Sequence, residues 1–370
     1  MSLGRLAILG AGNSGCAAAA HMAIKGYEVR LFNRSAERLA PIVQSGGIEL
    51  VGILGSDKVP IACITTDMAE AVRDCDLVMV VAPAFAHAYF ARLLAPLLSN
   101  GTTVLLNPGH TGGALHFMHE IILGGCRARV TVCEVNTNAY ICRMTGPARV
   151  AVYNLAKSLL FAAYPAREGS RVLEQVRPMY PNLIPVGSVL ETGLSNLNAI
   201  MHPPMVLLNV GWIEHTKGDF TIYSDAATPG VGVVIGRVDE ERLAVARALG
   251  LDVAPFAKLF YDYGATTLKG VDSGSVVTAL LESEPNRLIK APSSTTHRYV
   301  EEDIPYGLVP ISSLGKWAGL ETPVIDSLIT LASAVNRVDY RSKGLTVDAM
   351  GISALGVTEL HRLLQDGPRF

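Results

Sequence analysis

The chain has 370 residues, of which 49% are hydrophobic and 17% are charged, and its formal net charge is −2. At roughly 150 residues per domain this length predicts about two domains, and so apolar a composition can bury a large core, which excludes a disordered chain. The small net charge excludes the electrostatic footprint of a protein that binds nucleic acid or an anionic membrane.

The first half of the chain alternates between short apolar runs and helix-favouring segments. Residues 5–9 and 27–32 predict buried parallel strands, and the alanine-rich segment 14–24 between them predicts a helix. Ser35 is placed to cap the next helix. The following segments predict, in order, a polar loop (45–57), a strand (63–65), a short helix (68–73), a strand (77–81), a helix (85–98) and a strand (103–107). This alternation indicates an α/β fold with a parallel sheet covered on both faces.

The pattern changes in the second half of the chain. Two segments, 154–164 and 169–179, are mixed, and from residue 193 onwards one helical segment follows another. The predicted helices are 196–216, 237–249, 253–261, 310–318 and 324–339. The sequence therefore predicts a nucleotide-binding domain over residues 1–180 and an all-helical domain over residues 181–370.

A glycine-rich turn follows the first predicted strand. Gly10, Gly12 and Gly15 fit the pattern GxGxxG, with Asn13 and Ser14 between them. Gly10 permits a tight turn, Gly12 lets the backbone approach a pyrophosphate, and Gly15 allows the helix to pack closely on the strand. The helix that begins here offers its free N–H groups to an anion. In this strand–turn–helix–strand context the motif predicts a dinucleotide site, with a purely structural turn as the alternative.

The residues at the end of the second strand bear on the choice of dinucleotide. An NAD-binding fold usually has Asp or Glu about 20 residues after the turn, where the carboxylate binds the ribose 2′-hydroxyl. Here Asn33, Arg34 and Ser35 stand in its place. Arg34 attracts a 2′-phosphate, and the other two side chains can donate hydrogen bonds to it. The sequence thus predicts NADP(H) as the preferred cofactor, with NAD(H) as the alternative.

Two later strand ends should line the same crevice, because ligands bind at the carboxyl ends of parallel strands. Ala82 and Pro83 follow one strand and Asn107 follows another, so all three are predicted cofactor contacts. His110 lies in the turn 107–113, which is rich in glycine, and is a candidate for substrate contact. A packing role for His110 is the alternative.

The six cysteines all lie within the first 142 residues and form no CxxC pair. Their scattered spacing argues against a disulfide framework and against a zinc site, so we expect reduced thiols and no metal. The N-terminus lacks the length and the cleavage signal of a secretory peptide. The apolar run 77–83 is too short to span a bilayer. These features predict a cytoplasmic protein.

Four segments together resemble the octopine/opine dehydrogenase family. They are GAGNSG (10–15), NPGHTGGALHF (107–117), ETGLSNLNAIMHPPMVLLNVGWIE (191–214) and EEDIPYGLVP (301–310). The resemblance implies an N-terminal Rossmann domain followed by an all-helical domain like the C-terminal domain of 6-phosphogluconate dehydrogenase, with the active site between them. It also implies an NAD(P)-dependent oxidoreductase acting on CH–NH groups. Such an enzyme condenses an L-amino acid with a 2-oxo acid, for which pyruvate is the first guess, and reduces the imine. A homodimer is the assembly to be considered.

The same resemblance implies which residues act. The family's catalytic histidine, in its N-x-x-x-H-P stretch, maps onto His202, and the carboxylate paired with it maps onto Asp303. Asn198 lies four residues before His202, so a helix places both on one face. Imidazole can exchange a proton near neutral pH. We expect Asn198, His202 and Asp303 to be catalytic, with a structural histidine as the alternative, and Arg143 and Arg298 to be candidates for binding a substrate carboxylate.

Two other classes of protein stay open. A hydroxyacid or oxoacid reductase of the ketopantoate reductase or 6-phosphogluconate dehydrogenase type shares the architecture but usually carries a lysine one turn from an asparagine. No lysine lies between Lys157 and Lys217 of this chain, which favours the interpretation as an opine dehydrogenase. A catalytically silent NADP(H)-binding regulator would keep the glycine turn beside an inactive second domain.

Overall fold

The structure is a computed structural model, and it describes residues 4–368. Two units emerge from the residue contacts of this part of the chain. The first unit comprises residues 4–109, 114–189 and 361–368, and the second comprises residues 110–113 and 190–360. The short segment 110–113 thus belongs with the second unit, although the residues on either side of it belong to the first.

The first unit is built on an eight-stranded sheet. The strands of the described chain are β1 (Arg5–Leu9), β2 (Glu28–Phe32), β3 (Ile48–Gly52), β4 (Asp57–Val59), β5 (Cys63–Thr65), β6 (Leu77–Val80), β7 (Thr103–Leu106), β8 (Thr131–Val135), β9 (Tyr140–Gly146), β10 (Arg149–Leu155), β11 (Leu159–Tyr164) and β12 (Leu183–Pro185). The main sheet has the order β12-β11-β8-β7-β6-β1-β2-β5. The predicted parallel arrangement is confirmed for six strands, whereas β11 and β12 run in the opposite direction because β11 pairs antiparallel with β8.

Helices connect the strands of the main sheet. They are α1 (Asn13–Ile24), α2 (Ala36–Ser45), α3 (Met68–Val72), α4 (His87–Leu94), α5 (Gly113–Leu123) and α6 (Gly169–Val176). The strands β6 and β7 are buried along their whole length, as strands covered on both faces must be. Ser35 precedes α2 as predicted, but its side chain makes no capping hydrogen bond.

A second sheet, of order β4-β3-β10-β9, was not predicted from the sequence. The prediction of a polar loop over residues 45–57 is wrong, because this segment contains β3, in which Ile48 and Leu50 are fully buried. β3 pairs in parallel with β10, so that Glu49 lies opposite Arg149. β3 also pairs antiparallel with β4, the next strand along the chain. The glycines at 46, 47, 52 and 55 give this segment the composition of a loop, which is why the sequence alone did not indicate a strand.

The second unit is helical, as predicted. The helices are α7 (Val189–Leu194), α8 (Leu197–Leu207), α9 (Val210–Thr216), α10 (Pro229–Ala248), α11 (Phe256–Asp262), α12 (Leu268–Asp272), α13 (Val276–Leu281), α14 (Arg298–Glu301), α15 (Val309–Trp317), α16 (Pro323–Asn336), α17 (Tyr340–Lys343) and α18 (Val357–Asp366). Of these, α7 and α18 contain residues of both units. None of the helices within residues 4–368 combines the length and the apolarity needed to cross a membrane.

Two helix boundaries differ from the prediction for identifiable reasons. The single helix expected over residues 196–216 is in fact α8 and α9, which are separated at residues 208–209. α10 begins at Pro229, well before the predicted start, because proline is favoured in the first turn of a helix. A π-helical turn, Ile304–Leu308, follows α14 and leads into α15.

Candidate active site

The glycine turn of the first unit has the form expected of a phosphate site. Gly10 has a φ of +115°, and a Cβ on Gly15 would collide with the carbonyl oxygen of Gly10, so both positions require glycine. A Cβ placed on Gly12 would meet no atom within 4 Å, so the space beside this backbone is open. No side chain caps the N-terminus of α1. These features fit the pyrophosphate of a dinucleotide.

The side chains of Asn13 and Ser14, which were predicted to contact the cofactor, are held by β9 and the segment before it. The Asn13 Oδ1 atom accepts a hydrogen bond from the backbone N–H of Met144 at 3.0 Å. The Ser14 hydroxyl accepts one from the Asn138 side chain at 2.5 Å. The two side chains therefore fix the N-terminus of α1 against the second sheet, and backbone N–H groups are the atoms left to meet a phosphate.

The three residues at the end of β2 have different roles in the structure. The side chain of Asn33 accepts from Ala11 N and donates to Ser35 O, both at 3.2 Å, so it links the glycine turn to the end of the strand. The Ser35 hydroxyl donates to the Glu37 carboxylate at 2.5 Å. The guanidinium carbon of Arg34 lies 5.7 Å from the centre of the Tyr89 ring. Of these three residues, Arg34 is the exposed one that carries a charge.

Of the residues predicted to contact the cofactor at the other strand ends, some are accessible and one is fully buried. Ala82 is half-buried and Pro83 exposed directly after β6, so both remain accessible. Asn107 is fully buried after β7, donating to the Tyr180 hydroxyl at 3.1 Å and accepting from Ala139 N at 3.2 Å. Its amide is thus satisfied within the protein. Arg143 lies on β9 in the first unit and is exposed.

A buried acid–base pair lies in the second unit. The His202 Nδ1 atom is 2.7 Å from the Asp303 Oδ2 atom, and both residues are almost fully buried. The His202 Nε2 atom is 2.8 Å from the hydroxyl of Tyr223. Because the carboxylate can only accept, Nδ1 carries a proton, and in the neutral ring Nε2 accepts from the Tyr223 hydroxyl. The pairing assumed for His202 and Asp303 is present, with a tyrosine added to it.

Two tyrosines complete the surroundings of His202. The ring of Tyr299 stacks on the imidazole with a centre-to-centre distance of 3.8 Å and an angle of 23°. Tyr223 and Tyr299 are hydrogen-bonded to each other. Burial, followed by the charges of Tyr299 and Asp303, raises the pKa of Tyr223 well above its usual value. Tyr223 is therefore a neutral phenol at physiological pH and can donate a hydrogen bond.

Local structure brings these groups together. Asn196 caps α8 by accepting from the backbone N–H of Asn198 at 3.1 Å, and the helix then continues through two prolines past His202. Asn198 is half-buried one turn before His202, on the same face of α8. The short helix α14 carries Tyr299 and ends at Glu301, two residues before Asp303.

A second buried histidine–carboxylate pair lies beside the first. The His110 Nε2 atom is 3.1 Å from the Glu302 Oε1 atom, and each side chain is 3% exposed. The other ring nitrogen of His110 is 3.3 Å from the amide nitrogen of Asn196. The second oxygen of Glu302 is 3.1 Å from a guanidinium nitrogen of Arg298, whose side chain is 56% exposed. Burial lowers the pKa of Arg298, but the charges of Glu302 and Asp303 outweigh it and the net shift is upward.

Sequence reasoning missed four residues of this cluster, namely Asn196, Tyr223, Tyr299 and Glu302. Asn196 and Glu302 lie within the segments 191–214 and 301–310 that carry the family resemblance, and Tyr299 lies two residues before the second of them. The sequence therefore indicated the region of these three residues but not their contacts. Tyr223 lies outside any motif. Among residues 4–368 no group of three or more His, Cys, Asp or Glu side chains could hold a metal ion.

The comparisons with known proteins match the two units to different family models. Residues 185–336 match "NAD/NADP octopine/nopaline dehydrogenase, alpha-helical domain", and residues 6–108 match "Ketopantoate reductase PanE/ApbA". The similarity to ketopantoate reductase is thus found in the nucleotide-binding half, and the similarity to octopine dehydrogenase in the helical half.

Relatives and solved structures agree with this assignment. An opine dehydrogenase of Arthrobacter sp. (strain 1C) is 35% identical over 94% of this chain and 95% of its own length. A vitopine synthase of Allorhizobium ampelinum is 24% identical over 77% of each chain. An octopine dehydrogenase solved with NADH and L-arginine superposes with a TM-score of 0.79 at 18% identity, covering 99% of this chain and 98% of that one. A yersinopine dehydrogenase solved with NADP+ gives 0.76 at 16% identity, with the same coverage.

A Rossmann-type unit and a helical unit with a buried histidine–carboxylate pair define a two-domain dehydrogenase that uses a nicotinamide dinucleotide. Within that class, the chain belongs to the opine dehydrogenase family. It is an NAD(P)-dependent oxidoreductase that acts on CH–NH groups, and its partners are small molecules. The family, fold class and reaction class predicted from the sequence are confirmed.

Proposed function

We propose that this enzyme condenses an L-amino acid with a 2-oxo acid, pyruvate being the first candidate, and reduces the resulting imine to an N-(carboxyalkyl)amino acid. The observation that carries the proposal is the buried pair His202–Asp303, with the Tyr223 hydroxyl on the second ring nitrogen. NAD(P)H, when bound, supplies the hydride to the imine carbon. The relatives point the same way, since solved octopine dehydrogenases contain NADH together with L-arginine or with pyruvate.

The acid–base work falls to His202. Imine formation removes water from the carbonyl carbon, so a group must release a proton to the departing oxygen, and the reduced nitrogen must also gain a proton. Asp303 holds the imidazole in one tautomer, with the proton on Nδ1. Because Nε2 faces Tyr223, we propose that the phenol passes the proton between His202 and the reacting atoms. To Asn198, one turn away on α8, we assign a hydrogen bond to the substrate or to the nicotinamide amide.

Carboxylate binding falls to Arg298. Its side chain is half exposed, and its planar guanidinium suits a bidentate contact with the carboxylate of the oxo acid. Arg143, exposed on β9, is the second candidate for a carboxylate ligand. His110, whose two ring nitrogens face Asn196 and Glu302, is better suited to support Arg298 than to touch substrate.

The preference for NADP(H) rests on Arg34. Asn33 and Ser35 are engaged with their neighbours, so the positive charge of Arg34 is the feature that attracts a 2′-phosphate. The Glu37 carboxylate, which accepts a hydrogen bond from the Ser35 hydroxyl, weakens this attraction because its negative charge repels the phosphate. We therefore propose that NADP(H) is preferred but that NAD(H) is also accepted.

A substrate panel tests the reaction. Purified enzyme is given NADPH or NADH, a 2-oxo acid and one amino acid at a time, and loss of the reduced nicotinamide is followed by absorbance. We expect oxidation only when oxo acid and amino acid are both present, with the secondary amine identified by mass spectrometry. Oxidation by the oxo acid alone would establish an oxoacid reductase instead, and binding of cofactor without any oxidation would establish a regulator.

Two predictions from the sequence complete the proposal. The six cysteines, none in a disulfide, support a cytoplasmic location, which cell fractionation measures. A homodimer is the expected assembly, and sedimentation velocity over a range of protein concentrations measures it.

A further inference from the structure

The acid–base cluster contains a second histidine–carboxylate pair for which the proposed reaction has no direct use. Glu302 and Asp303 are consecutive and equally buried, yet they face different histidines. Asp303 orients His202, and Glu302 faces His110. Burying a second carboxylate is costly unless its charge is paired and its lone pairs are filled, so Glu302 needs a reason to be there.

The two oxygens of Glu302 have separate partners. One accepts from His110 Nε2 at 3.1 Å and the other from the guanidinium of Arg298 at 3.1 Å. Glu302 is 3% exposed while Arg298 is 56% exposed, so the carboxylate holds the inner side of a guanidinium that reaches towards the surface. A long arginine side chain has considerable rotamer freedom, and a buried, charge-assisted hydrogen bond removes much of it.

His110 is itself held in place. Its φ is +66°, which is uncommon for a residue with a Cβ, and the neighbouring Thr111 hydroxyl donates to Gly193 O at 3.0 Å. The amide of Asn196 faces its Nδ1 atom at 3.3 Å, which leaves the proton on Nε2 for Glu302. Asn196 also caps α8, the helix that carries His202. Helix cap, His110, Glu302 and Arg298 thus form one continuous hydrogen-bonded chain.

We propose that His110 and Glu302 are positioning residues that fix the guanidinium of Arg298 for the carboxylate of the 2-oxo acid. The inference rests on the proposed function, since it takes Arg298 as the carboxylate ligand. Neither His110 nor Glu302 touches the substrate. Their effect is confined to recognition of the carboxylate, and binding of the dinucleotide is independent of them.

The test compares pyruvate with methyl pyruvate, which has the same carbonyl but no carboxylate charge. The preference is the ratio of kcat/KM for the two compounds, measured with NAD(P)H and the amino acid that the wild type uses best. Glu302→Gln removes one acceptor and His110→Ala removes the donor, and each should lower the preference about ten-fold. His110→Gln, which keeps an N–H donor, should restore most of it. Glu301→Gln, the same change at the exposed neighbouring residue, should leave it unchanged.

Two further measurements separate positioning from a general loss of structure. The Kd of NAD(P)H should stay at the wild-type value in every variant. In an Arg298→Met background, Glu302→Gln should cause no additional loss of preference, because its effect acts through the guanidinium. Glu302→Gln and His110→Ala enzymes that keep the full preference overturn the inference while the wild-type reaction stands. A wild type that does not reduce the imine at all overturns the proposed function and this inference with it.

Discussion

Two residues of opposite charge, Arg34 and Glu37, follow the end of β2. The guanidinium of Arg34 lies over the ring of Tyr89, and the Glu37 carboxylate accepts a hydrogen bond from the Ser35 hydroxyl. A 2′-phosphate gains from the first charge and is repelled by the second, whereas a 2′-hydroxyl can donate to the carboxylate. We propose that the balance of these two side chains, rather than either alone, sets the nucleotide preference.

Substitution of each charge should shift the preference in opposite directions. Arg34→Ala should weaken NADPH binding about 10- to 100-fold and leave NADH nearly unaffected, as expected for loss of a charge-assisted contact to phosphate. Glu37→Gln should raise the ratio of NADPH to NADH affinity about three-fold or more, by removing a like charge. Isothermal titration with both nucleotides measures the ratio, and Glu174→Gln on the exposed face of α6 is the matched control. Equal ratios in all variants would show that neither residue meets the 2′ position.

Residues with a local signature were predictable, and their partners were not. The glycine turn is contiguous, and His202 and Asp303 lie in recognisable stretches, so sequence reasoning could name them. The roles of Asn33, Ser35 and Asn107 depend on which backbone or side chain lies opposite, for example Ala11 or Tyr180. Such contacts form only when distant segments fold together, and no spacing in the sequence encodes them.

At the scale of elements, α1 is held by close packing at its first turn. The position of Gly15 against the carbonyl of Gly10 leaves no room for a Cβ, and the side chains of Asn13 and Ser14 tie the same turn to β9 and the segment before it. The phosphate site therefore depends on helix, strand and second sheet together.

Gly15→Ala tests this packing. The added methyl group must displace backbone, so we expect the free energy of unfolding to fall by about 1–3 kcal/mol and affinity for both nucleotides to decrease together. Urea denaturation and nucleotide titration give the two quantities. Gly169→Ala is the control, since a Cβ there meets nothing within 4 Å and the backbone is helical. A Gly15→Ala protein as stable as the control would contradict the close approach.

The elements that sequence reasoning recovered are those with strong, local periodicity. The buried strands of the main sheet and the long helices of the second unit have it. The second sheet was missed because β3 lies in a segment rich in glycine and because its parallel pairing with β10 joins segments that are far apart in the chain. Its role in holding the glycine turn could be found only from the folded structure.

At the scale of the whole molecule, a buried polar chain makes the first unit sensitive to acid. Asn107, Tyr180, Tyr140 and His21 are linked in that order by contacts of 3.1 Å each. Burial, and to a lesser extent Lys25, lowers the pKa of His21 to about 4. The unfolded chain, with a histidine pKa of about 6.5, binds this proton more readily than the folded one.

Stability should therefore be complete above about pH 6.5 and should fall as the pH drops towards 4, because protonation of His21 favours unfolding in that window. The ring is only partly buried, so screening by water limits this contribution to on the order of 1–2 kcal/mol. His21→Gln should flatten the dependence of unfolding free energy on pH between 7 and 5 relative to wild type. The exposed His215→Gln should not change it, and an unchanged slope in His21→Gln would refute this origin.

The proposed reaction depends on proton transfer by His202, whose imidazole is oriented by Asp303. The most direct measurement is kcat of His202→Ala with saturating NAD(P)H, oxo acid and amino acid, alongside the Kd of NAD(P)H as evidence of folding and His215→Ala as control. We expect kcat to fall about 100-fold or more with the nucleotide Kd unchanged, which is the size expected for loss of a general acid–base. A folded His202→Ala enzyme with undiminished turnover would contradict it.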